Sequence, residues 1–149
     1  MKEISRSASR KGQALIKYMI DTNIGIYIMN QRPIEVIYKF KQFDIGEIGV
    51  STITVSELQY CAAKSKNREV NKQRVDEFLL PFEIMPYDEL AADSYGNIRC
   101  QLEKRGEKIG PLDLLIAAHA VSRDLILITN NEKEFKRVEN LQLENWAAR

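Results

Sequence analysis

Leu15-Ile16-Lys17-Tyr18-Met19-Ile20-Asp21-Thr22-Asn23-Ile24-Gly25-Ile26-Tyr27-Ile28-Met29 is the stretch on which the fold turns. An apolar-rich run ends at Ile20, three polar residues follow, and a second apolar stretch opens at Ile24. That order predicts a buried strand over residues 15–20, a turn, and a helix over residues 24–29. Asp21 then stands directly beyond a strand end.

The pattern repeats outward along the chain. Pro33 suits a first helical turn and starts a helix over residues 33–40, and a strand follows over residues 48–51. Thr52 is positioned to cap the next helix, to which Ile53, Leu58, Tyr60, Cys61 and Ala62 give apolar residues. A polar, basic segment over residues 64–71 leads to a further helical pattern over residues 75–80, which makes a helical hairpin. Pro81 breaks it, residues 82–85 are strand-like, and Asp88 opens a long amphipathic helix to Leu102. Gly106 and Gly110 bracket a loop, residues 111–122 form an apolar helix, residues 125–129 a strand, and residues 132–138 a short charged helix before residues 141–146. Strands alternating with helices predict an α/β sandwich with a mainly parallel sheet, whose ligands gather at the carboxyl ends of the strands.

The bulk numbers set the limits. A chain of 149 residues, 44% hydrophobic and 29% charged, fits one domain with a substantial core, and no apolar run approaches a membrane span. Residues 1–14 are polar, with Lys2, Arg6, Arg10 and Lys11, and lack the apolar segment of a secretory signal. The expectation is a flexible polar extension ahead of a single domain over residues 15–149, in the cytoplasm. Two cysteines without CxxC spacing are expected as free buried thiols. The formal charge is +1, so any nucleic acid must be held by a local basic patch.

Asp21, Glu57 in Ser56-Glu57-Leu58, and Asp113 in Gly110-Pro111-Leu112-Asp113 each lie beside an expected strand end or in an early helical turn. A parallel sheet brings successive strand ends to one edge, so the three carboxylates can converge, and converging carboxylates demand a counter-ion. A hard divalent ion such as Mg²⁺ suits such oxygen ligands and bridges to phosphate, which points to phosphodiester hydrolysis. Helix capping and dipole complementarity account equally for an isolated Asp21 or Asp113. Thr22 is placed to orient a neighbouring carboxylate, or with Asn23 to cap the following helix. His119 has no HxxxH or cysteine partner and is expected as a packing or surface histidine.

Four blocks in order, Met19-Ile20-Asp21-Thr22-Asn23-Ile24, Ile53-Thr54-Val55-Ser56-Glu57-Leu58, Ile109-Gly110-Pro111-Leu112-Asp113 running on to Ala120, and Thr129-Asn130-Asn131 with Glu134-Phe135, resemble the PIN-domain VapC toxin family. Leu143-Glu144-Asn145-Trp146 completes a likeness that covers nearly everything from Leu15 to Trp146. The resemblance implies a PIN-like three-layer sandwich and an endoribonuclease whose Asp21, Glu57 and Asp113 bind Mg²⁺ or Mn²⁺. It further implies a homodimer neutralised by a VapB-like antitoxin, with structured RNA as substrate, and an affinity with toxins that cut initiator tRNA in the anticodon loop. The expected chemistry is attack of a metal-activated water on phosphorus, an in-line displacement with one metal or two.

Many PIN domains carry a further Asp after the late strand, where this chain has Asn130 and Asn131. Asn131 through its amide, or Glu134 through its charge, is the candidate for that position; a turn or cap and a solvated helix face are their alternatives. Arg99, Lys104, Arg105 and Lys108 are the candidate RNA-binding cations, with Lys64, Lys66 and Arg68 as a second cluster, against the plain reading of solvated helix ends. The helices over residues 24–40 and 53–80 have apolar residues to spare for a partner groove or dimer face. The rival classes are a noncatalytic RNA-binding or interaction domain that keeps the PIN fold, and a structure-specific DNA nuclease.

Overall fold

The computed structural model describes residues 15–147; the expected extension over residues 1–14 lies outside them. The element order is β1 (Tyr18–Ile20), α1 (Thr22–Asn30), α2 (Ile34–Lys41), a short 3-10 turn (Ile45–Glu47), β2 (Ile48–Ser51), α3 (Thr52–Lys64), α4 (Arg68–Leu79), β3 (Glu83–Met85), α5 (Glu89–Lys104), α6 (Pro111–Ser122), β4 (Ile126–Ile128), α7 (Glu132–Phe135) and β5 (Leu143–Glu144). The five strands form one sheet in the order β3-β2-β1-β4-β5. Every pairing is parallel, where the sequence predicted mainly parallel.

Alternation along the strands divides the core in two. Met19 pairs with Leu127 and Ile20 with Ile128. Met19 and Leu127 point to the face covered by α5, α6 and α7, where Ile98, Leu102, Leu114, Ile116 and Phe135 pack. Ile20 and Ile128 point to the other face, where Ile24, Val36, Leu58, Val75 and Trp146 gather from α1 to α4 and the C-terminal turn. Period-2 side chains on a sheet covered on both sides give the three layers. Met85 packs over Gly49, where a Cβ would stand 2.4 Å from the Met85 Cε, so a larger residue there requires the end of the methionine to shift.

Some boundaries differ from the sequence reading. Ser51, not Thr52, caps α3: its Oγ accepts from the Ile53 amide at 3.1 Å, and Thr52 is the first helical residue. The second arm of the helical hairpin begins at Arg68 rather than at residue 75, because a polar, solvent-facing first turn has no apolar periodicity to reveal it. The late helix stops at Phe135 instead of residue 138. Cys100 is exposed and Cys61 half-buried, so neither is the buried thiol expected. Among the described residues no helix is long and apolar enough to cross a membrane.

Trp146 closes the α1–α4 side. It is fully buried, with ring centroids 4.8 Å from Phe43 and 6.2 Å from Phe40, and its indole N–H donates to Glu144 at 3.0 Å. Trp146→Ala is expected to cost about 3 to 5 kcal/mol in urea unfolding followed by circular dichroism, the range for losing a large buried aromatic. A cost below about 1 kcal/mol would show that the C-terminal turn is not part of the core.

Candidate active site

Strand order locates the crevice. The chain runs from central β1 outward through β2 to β3, then returns to the other side of β1 with β4, so the switch in direction falls between β1 and β4. Open parallel sheets bind ligands at that point, outside the carboxyl ends. Ile20 pairs with Ile128, which puts Asp21 and Thr129, the next residue of each strand, side by side.

Asp21 is 4% exposed, and both its carboxylate oxygens are occupied. Oδ1 accepts from the Ile24 amide at 2.9 Å as the cap of α1, and Oδ2 accepts from the Thr129 hydroxyl at 2.5 Å. The capping role and the convergent role, read from the sequence as alternatives, coexist in one side chain. Burial pushes its carboxyl up to about 6, the hydrogen bonds from Thr129 and Ile24 oppose this, and the negative charges of Asp113 and Glu57 add to the rise.

Glu57 projects from α3, and its Oε1 accepts from the Thr22 hydroxyl at 2.5 Å. Thr22 thus orients a carboxylate, the role weighed for it in the sequence. The same hydroxyl lies 3.4 Å from that of the buried Thr54. Asn23 is exposed. Asp113 enters in the first turn of α6, whose Pro111 start aims the helix N-terminus into the crevice. Its carboxyl also rises to about 6, through burial first, then the charges of Glu134 and Glu57.

At the doubtful fourth position the two candidates act together. The Asn131 amide donates to Glu134 Oε2 at 2.9 Å and lies 3.4 Å from Asp113 Oδ2. Glu134 Oε1 accepts from the Gly110 amide at 2.5 Å. These donors hold Glu134 below the usual carboxylate range. Asn130 turns away, donating to the Tyr27 hydroxyl at 2.7 Å.

The donor set is all oxygen, anionic and mutually repelling, which is the chemistry that a hard divalent cation satisfies. Among the described residues no three of the histidine, cysteine and carboxylate groups are drawn together tightly enough to enclose an ion. The acids share an edge and a field, without closing on one another.

The basic residues separate into tied and free. Arg105 donates to Glu107 at 2.8 Å, to Glu139 at 3.0 Å and to the Arg137 carbonyl, while Arg137 donates to the Lys108 carbonyl at 2.6 Å. Arg99 is held by Glu103 at 2.9 Å and the Tyr95 hydroxyl at 3.0 Å. Lys104 and Lys108 make no ion pair among the described residues and are exposed. In the second cluster Lys64 lies over the Tyr60 ring, 5.0 Å from its centroid, and Lys66 and Arg68 are exposed.

Sequence reasoning missed Thr129 as a partner of Asp21 and Thr54 as a neighbour of Thr22. Alignment of the two strand ends was the missing information, since a threonine after an apolar run reads simply as the end of a strand.

Fold and crevice together define an α/β protein with an anionic, all-oxygen site at a topological switch. Comparison with known proteins narrows this. The PIN domain family matches over residues 18–141. Ribonuclease VapC2 of Haemophilus influenzae is 46% identical over 132 residues, covering 89% of this chain and 99% of that protein. The tRNA(fMet)-specific endonuclease VapC of Shigella flexneri is 39% identical, covering 89% and 100%. Among solved structures, VapBC2 from Rickettsia felis bound to a promoter DNA fragment superposes with a TM-score of 0.80 at 41% identity, covering 88% of this chain and 99% of the other. DNA-bound VapBC from Salmonella typhimurium gives 0.84 at 37% identity, covering 89% and 100%. The chain belongs to the PIN-domain family, among its VapC ribonucleases.

The carboxyl of Asp21 yields a pH prediction with a definite sign. With a folded value of about 6 against 3.8 unfolded, the native state keeps a proton that the unfolded chain has released between those values. Stability from this group is therefore fully present below pH 3.8 and lost as pH rises through 6, on the order of 3 kcal/mol. In EDTA at pH 7.5, Asp21→Asn, which keeps an oxygen for the Ile24 amide, is expected to be more stable than the parent, and the difference should shrink toward pH 4. Urea titrations at both pH values test this. A variant weaker at pH 7.5, or an offset independent of pH, would contradict the assigned field.

Proposed function

We propose that the chain is a metal-dependent endoribonuclease of toxin type, cutting structured RNA and held in check by a VapB-like antitoxin. The observation that carries the reading is the crevice at the β1/β4 switch, where Asp113 and Glu57 act electrostatically on buried Asp21, in a protein 46% identical to a named ribonuclease. The tRNA(fMet)-specific endonucleases at 39% and 37% identity support initiator tRNA as the substrate, and the family resemblance implies cleavage in its anticodon loop. The VapBC neighbours support the antitoxin. Exposed Ile34 and Tyr38, one turn apart on α2, offer apolar surface to a protein partner or to a second copy in a homodimer.

Mg²⁺ or Mn²⁺, when bound, supplies Lewis acidity and lowers the pKa of its water. Asp21, Glu57 and Asp113 would hold it. Thr129 and the Ile24 amide fix the direction of Asp21, and Thr22 fixes that of Glu57. Asn131 spans Asp113 and Glu134, and Glu134 has both oxygens engaged by Asn131 and Gly110. Glu134 accordingly acts by fixing the start of α6 and by adding negative field at Asp113; Asn131 steadies the Asp113 carboxylate. In-line displacement at phosphorus by water is the chemistry that such a site would support.

Two measurements test this. Purified chain incubated with tRNA, single-stranded RNA and DNA, in Mg²⁺, Mn²⁺ or EDTA, should cleave RNA alone and only with metal. Glu57→Gln should lower that rate by at least about 100-fold with circular dichroism unchanged, more than loss of an outer ligand-orienting group costs. Parent-level cleavage by Glu57→Gln would remove Glu57 from the ligand set, and metal-independent RNA binding without cleavage would favour the noncatalytic rival.

Free cations, unlike tied ones, contribute counterion release. Lys104→Ala with Lys108→Ala is expected to flatten the slope of log K for RNA against log salt by about 1.4 to 1.8, whereas Arg105→Ala leaves the slope unchanged and lowers stability. The reverse result would mean that the Arg105 network opens to bind RNA.

A further inference from the structure

Five polar residues are buried among those described: Asp21, Ser51, Thr54, His119 and Thr129. Asp21, Thr54 and Thr129 belong to the crevice, and the other two meet each other. His119 Nδ1 lies 2.8 Å from Ser51 Oγ, with both residues fully buried. Tyr87 meets the imidazole edge-on, ring centroids 5.7 Å apart, and its amide donates to Thr52 Oγ1 at 3.1 Å.

Hydrogen-bond accounting sets the direction of the bond. Ser51 Oγ already accepts from the Ile53 amide and retains one proton and a second acceptor site. His119 Nε2 has no protein partner. With the ring proton on Nδ1, the Ser51 proton and the bare Nε2 both lack partners; with it on Nε2, only that one proton does, so the count favours the Ser51 hydroxyl donating to Nδ1. Burial, with the Arg123 charge assisting and Asp88 opposing, keeps the ring neutral.

The bond joins two helices that carry opposite halves of the site. Asp113 lies on α6 six residues before His119, and Glu57 lies on α3 six residues after Ser51. Each separation is about 9 Å along a rigid helix, so the relative placement of His119 and Ser51 is transmitted to the two carboxylates. Apolar contacts between α3 and α6 permit sliding and rotation; a buried directional bond at the start of α3 does not.

We infer that His119, through its hydrogen bond to Ser51, is a positioning residue that sets the Asp113 helix against the Glu57 helix. The inference rests on the metal-dependent nuclease reading and concerns a residue outside the crevice. Its test compares His119→Leu, which deletes the bond, with His119→Asn, whose side-chain amide offers Ser51 a hydrogen-bond partner near the Nδ1 position.

Reactions are run well below the lowest melting temperature of the set. His119→Leu is expected to lower kcat about tenfold with little change in KM for RNA, as losses of ligand-orienting partners do. His119→Asn should keep kcat near the parent although it is smaller and also melts lower. Adding His119→Leu to Ser51→Ala should cost no further activity, because the bond is already gone. Parent-level kcat in His119→Leu, equal losses in the Leu and Asn variants, or independent multiplicative losses would overturn the inference. If the parent cleaves no RNA with Mg²⁺ or Mn²⁺, the functional reading fails by itself, and the tie is judged on Mn²⁺ titration followed by electron paramagnetic resonance. There His119→Leu should bind about tenfold more weakly than the parent and His119→Asn should not. Absence of that difference, with or without binding, overturns it.

Discussion

The structure depends on one pairing, the alignment of the β1 and β4 ends that sets Asp21 beside Thr129. Parallel strands on both sides of β1 leave a crevice at their carboxyl ends, because the connections to β2 and to β4 depart in opposite directions. A buried carboxylate at that point has no bulk water to solvate it. It survives by accepting a helix N-terminal amide on one oxygen and a threonine hydroxyl on the other, while α3 and α6 bring further acids toward it. Fold and site are thus one problem: the connection that makes the sheet also concentrates the charge.

Concentrated like charge opposes folding, and the chain offsets that cost with neutral donors instead of cations. Thr129, Thr22 and Asn131 each orient a carboxylate without cancelling it. A lysine or arginine at any of these places would relieve the repulsion and, on the metal-dependent function proposed, weaken the hold on a divalent ion. The tied cations are instead spent outside the crevice, Arg105 and Arg137 on carbonyls and carboxylates of the loop and of the segment after α7. Burial first, and then the charges of the neighbouring acids, raise Asp21 and Asp113, and no cation placed among them cancels that rise.

Much of this was legible in the sequence. The β1 to α1 transition, the Pro111 start of α6 and the strand at β2 follow from apolar period, turn residues and the fixed φ of proline, which are local causes. Asp21 and Asp113 were legible as candidates for the same reason, since each sits at a local boundary, and Glu57 by its place in an early turn of α3. Their hydrogen-bond partners were not. Thr129 is separated from Asp21 by more than a hundred residues and gains its meaning only from strand register. Ser51 and Thr52 are both good caps, and choosing between them requires the last paired residue of β2, which depends on β3 through the Ser51 to Met85 pairing. Arg68 opens α4 with no apolar stripe in its first turn, so nothing local marks the helix start.

The basic run before Asp113 shows why charge alone is a poor guide to binding. Arg99, Lys104, Arg105 and Lys108 are equivalent by sequence, being cations near a helix end and a loop. In three dimensions Arg105 has carboxylate and carbonyl partners for its guanidinium, and its planar fork suits that bridging use, whereas Lys104 and Lys108 stay exposed on flexible stems. The arginine fixes the loop and the lysines keep their charge for something else. Since Arg137 also holds the Lys108 carbonyl, the loop that displays a free lysine is itself immobilised by tied arginines. A polyanion meeting that loop encounters a charge whose backbone has already been ordered, so less entropy remains to be lost on binding.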